Sequence, residues 1–121
     1  MYTILLVEDN EMNRDMLSRR LQLAKYRVET AIDGQQAIEK SLSIKPDLIL
    51  MDLDLPVING WDATQMIKTN SETAHIPIIA LTAHAFTEDR EKALKYGCDD
   101  YDIKPVDFNR LDKKMQKYLI G

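Results

Sequence analysis

The residues best suited to chemistry fall in four places along the chain. Glu8 and Asp9 follow one apolar run, Asp52 and Asp54 follow a second, Thr82 ends a third, and Lys104 precedes Pro105 after a fourth. Three or four carboxylates held within a few ångströms cannot all ionise comfortably without a cation between them. Oxygen ligands of this kind suit Mg²⁺, which usually takes one or two carboxylates, waters and a phosphate. Lys104 offers a point positive charge to a phosphoryl oxygen, and the Thr82 hydroxyl can donate to another. An aspartate nucleophile, a metal, a lysine and a hydroxyl together describe an aspartyl-phosphate site.

That chemistry requires a scaffold that brings the four places together. Five β-like segments alternate with amphipathic helical ones: Thr3–Val7, Arg27–Ala31, Leu48–Met51, Pro77–Leu81 and Asp100–Ile103. The first, third and fourth are nearly all apolar, as central parallel strands covered on both faces are. The second and fifth alternate with charge and read as edges, with Tyr101 and Ile103 as the apolar side of the fifth. Helices are expected to begin near Glu11, Gly34, Trp61, Thr87 and Asp107. In the last, Asp107 reads as an N-cap, and Phe108, Leu111, Met115 and Leu119 form an apolar stripe opposite Lys113, Lys114 and Lys117. Strict alternation predicts an α/β fold, a doubly wound five-stranded parallel sheet with helices on both faces, for which the flavodoxin-like order 2-1-3-4-5 is expected. In such sheets ligands bind at the carboxyl ends of the strands, and neighbouring first and third strands bring their acids to one edge.

Composition sets the class. The chain of 121 residues reads as one domain over 1–121, with 45% hydrophobic and 30% charged residues as in ordinary soluble proteins. A net charge of −4 argues against a nucleic-acid partner, whose phosphates need clustered Lys and Arg. Cys98 is alone, which excludes an internal disulfide and fits a reducing cytosol. Without an apolar run of roughly 18 residues no membrane span is expected. Met1-Tyr2 leads directly into a strand pattern, so a signal peptide is not expected either. A cytoplasmic location follows as the expectation.

The strings VEDN, MDLDLPVING, LTAHA and DIKP stand at the ends of the first, third, fourth and fifth strands. In that order and context the chain resembles the receiver (CheY-like) domain of two-component response regulators, over essentially its whole length. The resemblance implies a stand-alone response regulator in which Asp52 accepts a phosphoryl group from a phosphohistidine on a sensor histidine kinase or a histidine phosphotransfer protein. Glu8, Asp9 and Asp52, with the backbone carbonyl of Asp54, would organise Mg²⁺. Thr82 and Lys104 would bind phosphoryl oxygens, and Thr82 with Tyr101 would form the switch. The Lys104–Pro105 bond is expected to be cis. A downstream protein target would read the face formed by the fourth helix, fifth strand and fifth helix. Asp54 stands where such domains often carry methionine; Asp54 and His84 are therefore expected to border the site and modulate the lifetime of the phosphorylated state.

Two other functions share parts of the pattern. Asp52-x-Asp54 also resembles the nucleophile and acid/base pair of haloacid-dehalogenase-like phosphatases. Those follow the pair with Gly-Thr or similar and hold their metal with a later acidic pair, whereas Leu55-Pro56 follows here and the companion acids come earlier. A flavodoxin-like electron carrier would need a Ser/Thr/Gly-rich phosphate loop after the first strand, where Glu8-Asp9-Asn10 would repel a phosphate. The chain is thus expected to be a switch rather than an enzyme. Met12, Met16, Met66 and Met115 read as core fillers on helical apolar faces. Arg14, Arg19, Arg20 and Lys25 read as a solvated face, and Gly60 as a turn residue needing φ > 0.

Overall fold

Why the acids meet is visible in the strand register. The computed structural model describes residues 1–83 and 87–119, with the backbone alone for residues 87–90. The strands are β1 (Thr3–Val7), β2 (Arg27–Ala31), β3 (Leu48–Asp52), β4 (Ile78–Thr82) and β5 (Asp100–Ile103). The helices are α1 (Glu11–Leu23), α2 (Gly34–Ile44), α3 (Gly60–Thr69), α4 (Thr87–Lys95) and α5 (Phe108–Tyr118). All strand pairs are parallel, in the order β2-β1-β3-β4-β5. The apolar strands β1, β3 and β4 are central, and the alternating strands are the edges.

Each face of the sheet carries its own core layer. On one, Leu5, Val7, Ile49, Met51, Ile78 and Ala80 meet Ala37 of α2, Ala63 and Ile67 of α3, and Ala93 of α4. On the other, Ile4, Leu6, Leu50, Ile79 and Leu81 meet Leu21 of α1 and Leu111 and Met115 of α5. Asn10, Asp33, Asn59 and Asp107 cap α1, α2, α3 and α5, each side chain accepting from a backbone N–H of the first turn. Gly97 closes the turn after α4 with φ +106°, the left-handed role expected of it. Cys98 is buried beside Thr64, and burial pushes its thiol up to about 11.

Four sequence expectations change. Asp52 is the last residue of β3, paired with Leu81, so the strand carries its carboxylate on a fixed backbone. Pro77 lies just before β4, whose first residue is Ile78, yet its carbonyl still accepts from the Ile49 N–H at 2.9 Å. Met115 is buried, but Met12, Met16 and Met66 are exposed, at 71%, 60% and 50%. The buried stripe of α1 runs through Leu17 and Leu21, one position away from the methionines. Gly60 has no positive φ; a Cβ there would lie 2.3 Å from the Asp52 carbonyl oxygen, so close approach of α3 to β3 requires the glycine. The left-handed residue of that loop is Val57, at φ +67°.

Candidate functional site

The carboxyl ends of β1, β3, β4 and β5 point to one edge. Glu8 is the first residue beyond β1, its N–H bonded to the Ala31 carbonyl at 3.0 Å. Asp52 ends β3, Thr82 ends β4, and Lys104 follows β5 with its N–H donating to the Thr82 carbonyl at 2.7 Å. The Lys104–Pro105 peptide bond is cis. Glu8, Asp52 and Thr82 are buried; Asp9 and Asp54 are exposed. His84 lies outside the described residues.

Lys104 links the acids. Its Nζ is 3.0 Å from Asp52 Oδ2 and 3.2 Å from Glu8 Oε2. Burial, followed by the hydrogen bond and charge of Asp52, pushes the Glu8 carboxyl up to about 7, against the pull of Lys104. Burial acts to lower the Lys104 ammonium, but Asp52 and Glu8 together outweigh it and hold the group above its ordinary value. One lysine thus faces two buried carboxylates, an acid excess that a cation would relieve.

Carboxylate oxygens of Glu8, Asp9 and Asp52 lie within 4.8 Å of one another, a set that fits a hard divalent cation. The Asp54 N–H donates to Asp52 Oδ1 at 3.1 Å, which keeps the Asp54 backbone beside the same carboxylate. The acidic loop itself is fastened by Arg14, whose Nη1 donates to the carbonyls of Glu8 at 2.9 Å and Asp9 at 3.3 Å. Arg14 was expected on a solvated face. Its role depends on where the chain turns after Asp9, which spacing alone does not specify.

Behind Lys104, Tyr101 and Ile103 alternate with acids along β5 and are half-buried, as expected of an edge strand, while Asp102 between them is buried at 1% exposure. Arg110 and Lys114 of α5 reach Asp102 at 2.8 and 3.8 Å. An arginine eight residues beyond an acid was the available signal, and it becomes legible only once α5 is folded over β5.

The model of the response regulator receiver domain family matches residues 4–116. The chain belongs to that family. A curated relative, the polar-differentiation response regulator DivK of Brucella anthropi, is 34% identical over 117 residues, covering 97% of this chain and 95% of that one. Among solved structures, the receiver domain of the sensor histidine kinase PA1611 from Pseudomonas aeruginosa PAO1 is 40% identical with a TM-score of 0.90, covering 97% and 96% of the two chains. That receiver was solved with a magnesium ion in its active-site cleft. A chain of the Saccharomyces cerevisiae complex between the histidine phosphotransfer protein Ypd1 and the receiver domain of its downstream response regulator Ssk1 is 35% identical. Its TM-score is 0.89, with 97% and 88% covered. This chain is thus a receiver domain of two-component signalling, and its flavodoxin-like sheet order is that of its structural neighbours.

Proposed function

We propose that this receiver takes a phosphoryl group from a partner's phosphohistidine onto Asp52, and that the resulting charge switches a protein-binding face. The observation that carries the reading is the buried Asp52 carboxylate at the end of β3, 3.0 Å from Lys104 Nζ and clustered with Glu8 and Asp9. An Asp52 oxygen attacks phosphorus as the phosphorus–nitrogen bond to the donor imidazole breaks, and the imidazole nitrogen keeps the electron pair. Lys104 neutralises a phosphoryl oxygen, and Thr82 donates its hydroxyl to another. Glu8, Asp9, Asp52 and the Asp54 carbonyl would hold Mg²⁺, which supplies charge neutralisation for the entering phosphoryl group. These groups stand on or beside strand ends, so positioning and electrostatics would carry the rate.

The phosphohistidine partner is a sensor kinase or a histidine phosphotransfer protein, by analogy with the Ypd1–Ssk1 pair. An apolar groove opens beside the site, lined by Glu8 and Lys104 together with Met16, Leu17, Val106 and Phe108. Through Glu8 and Lys104 the groove adjoins Asp52, which supports it as the approach for that partner, with exposed Met16 along it. The phosphorylated form reports through α4, β5 and α5, where Thr82 and Tyr101 are placed to follow the new charge. No described helix is long and apolar enough to cross a membrane; a cytoplasmic location is part of this proposal.

The reading is tested by incubation with Mg²⁺ and a small phosphodonor, which should add one phosphoryl group. Steady turnover of a generic phosphomonoester would instead favour a phosphatase.

A further inference from the structure

Asp102 is a buried carboxylate outside the cluster around Asp52. In β5 it pairs with Leu81, which belongs to the core layer beneath α5. Burying an ionised group in such a layer generally returns less than an apolar side chain of similar volume would. Stability therefore gives a weak reason for an acid here, and its contacts give a better one. Oδ1 accepts from Arg110 Nε at 2.8 Å and from the Ile103 N–H at 2.8 Å. Oδ2 has no hydrogen-bond partner among the described residues.

Those contacts converge on the phosphoryl-binding apparatus. Arg110 Nη2 donates to the Ile103 carbonyl at 3.3 Å, so Asp102 and Arg110 grip both sides of the residue before Lys104. The next N–H, that of Lys104, is tied to the Thr82 carbonyl. On the other side, Lys114 Nζ donates to the Tyr101 carbonyl at 2.6 Å and stands 5.1 Å from the centre of its ring. A cation over an aromatic face favours one ring position over others. Lys114 is 3.8 Å from Asp102 Oδ1, so one buried carboxylate sits behind both restraints.

We propose that Asp102, acting through Arg110 and Lys114, is a positioning residue that holds the Lys104 backbone and the Tyr101 ring, coupling α5 to phosphoryl transfer. The inference rests on Asp52 as phosphoacceptor and Lys104 as phosphoryl ligand. Outer supports of reacting groups typically change activity by about 10–100-fold when removed.

The test uses the full chain carrying Asp102→Leu, Asp102→Asn or Arg110→Gln, with Lys113→Gln as a control on the exposed side of α5. Phosphorylation by a small donor with Mg²⁺ is resolved into donor saturation and limiting rate. Urea midpoints and the Tyr101 ring and Lys104 side-chain resonances are recorded on the same proteins. Asp102→Leu should lower the limiting rate about tenfold with donor saturation unchanged. Its urea midpoint should equal or exceed that of the parent, while the Tyr101 and Lys104 resonances shift. Asp102→Asn keeps the shape of the side chain and should slow the reaction in the same way. Lys113→Gln should change none of these. Combining Asp102→Leu with Arg110→Gln should be no slower than Asp102→Leu alone, since the two act as a unit. Parental rates in Asp102→Leu and Asp102→Asn, or slowing that only follows lost stability with both resonances unmoved, would overturn the proposal. If the parent itself takes no phosphoryl group, the phosphoacceptor reading falls, and the resonances still decide whether Asp102 holds Tyr101 and Lys104.

Discussion

The Lys104 ammonium lies 3.0 Å from Asp52 Oδ2, so the residue after β5 closes directly on the carboxylate that ends β3. The contact spans the intervening β4 and depends on the strand ends being level, as the pairings Asp52–Leu81 and Thr82–Ile103 make them. It balances only part of the acid at this edge.

Mg²⁺ should relieve the remainder. Binding to the folded chain alone stabilises it, by about 2.7 kcal/mol at a free concentration of 100 Kd. Thermal or urea midpoints should rise with MgCl₂ and return on chelation, with Glu8→Gln and Asp9→Asn weakening the response. Chelation should also stop phosphorylation. A midpoint indifferent to millimolar MgCl₂ would show that Lys104 already satisfies the cluster.

Asp54 bears on the lifetime of the phosphorylated state. Its backbone is tied to Asp52 Oδ1, while its side chain is exposed at the mouth. A carboxylate there can orient a water for in-line attack on phosphorus. Asp54→Met should lengthen the lifetime, by less than the about 10²-fold of a well-positioned group, because solvent screens this loop. Mg²⁺ affinity should be retained, since only the backbone carbonyl of Asp54 belongs to the proposed metal site. Unchanged decay would make Asp54 a solvated loop acid.

The output face makes a spatial prediction. Amide spectra with and without a phosphoryl mimic should differ most across residues 82–108. The two states need differ by only a few kcal/mol for the population to shift. Changes confined to residues 10–60 would send the signal elsewhere.

Much of this was legible from residue order. Apolar TILLV, LILM and PIIAL against the mixed RVETA and DYDI gave centre and edge, and the polar residues after the strands gave the cluster. Side-chain direction was less legible where a remote partner decides it. Asp102 is buried on the opposite face of β5 from Tyr101, where Arg110 and Lys114 meet it from another element, a partnership that alternation alone does not reveal. Met12 and Met16 stand one helical position from the buried stripe, and a helix start alone does not choose between adjacent stripes. Likewise the close approach of Gly60 to Asp52 is a tertiary fact, while the positive φ moved to Val57.

Val57 makes a stability prediction from that conformation. A β-branched residue at φ +67° is strained, and its side chain is 78% exposed, so little packing repays the strain. Val57→Asn should stabilise the chain by about 1 kcal/mol, because asparagine tolerates the left-handed region without the entropy cost of glycine. Urea unfolding measures this directly. A destabilised variant would mean that Val57 contributes packing beyond what its exposure allows.

The central claim is that Asp52 is the phosphoacceptor. Its most direct measurement is the intact mass of the parent and of Asp52→Asn after incubation with Mg²⁺ and a small phosphodonor, followed by peptide-level location of the label. The parent should gain one phosphoryl group within residues 48–60, and Asp52→Asn should gain none while remaining folded. Equal labelling of Asp52→Asn, or a label located on another residue in the parent, would contradict the account.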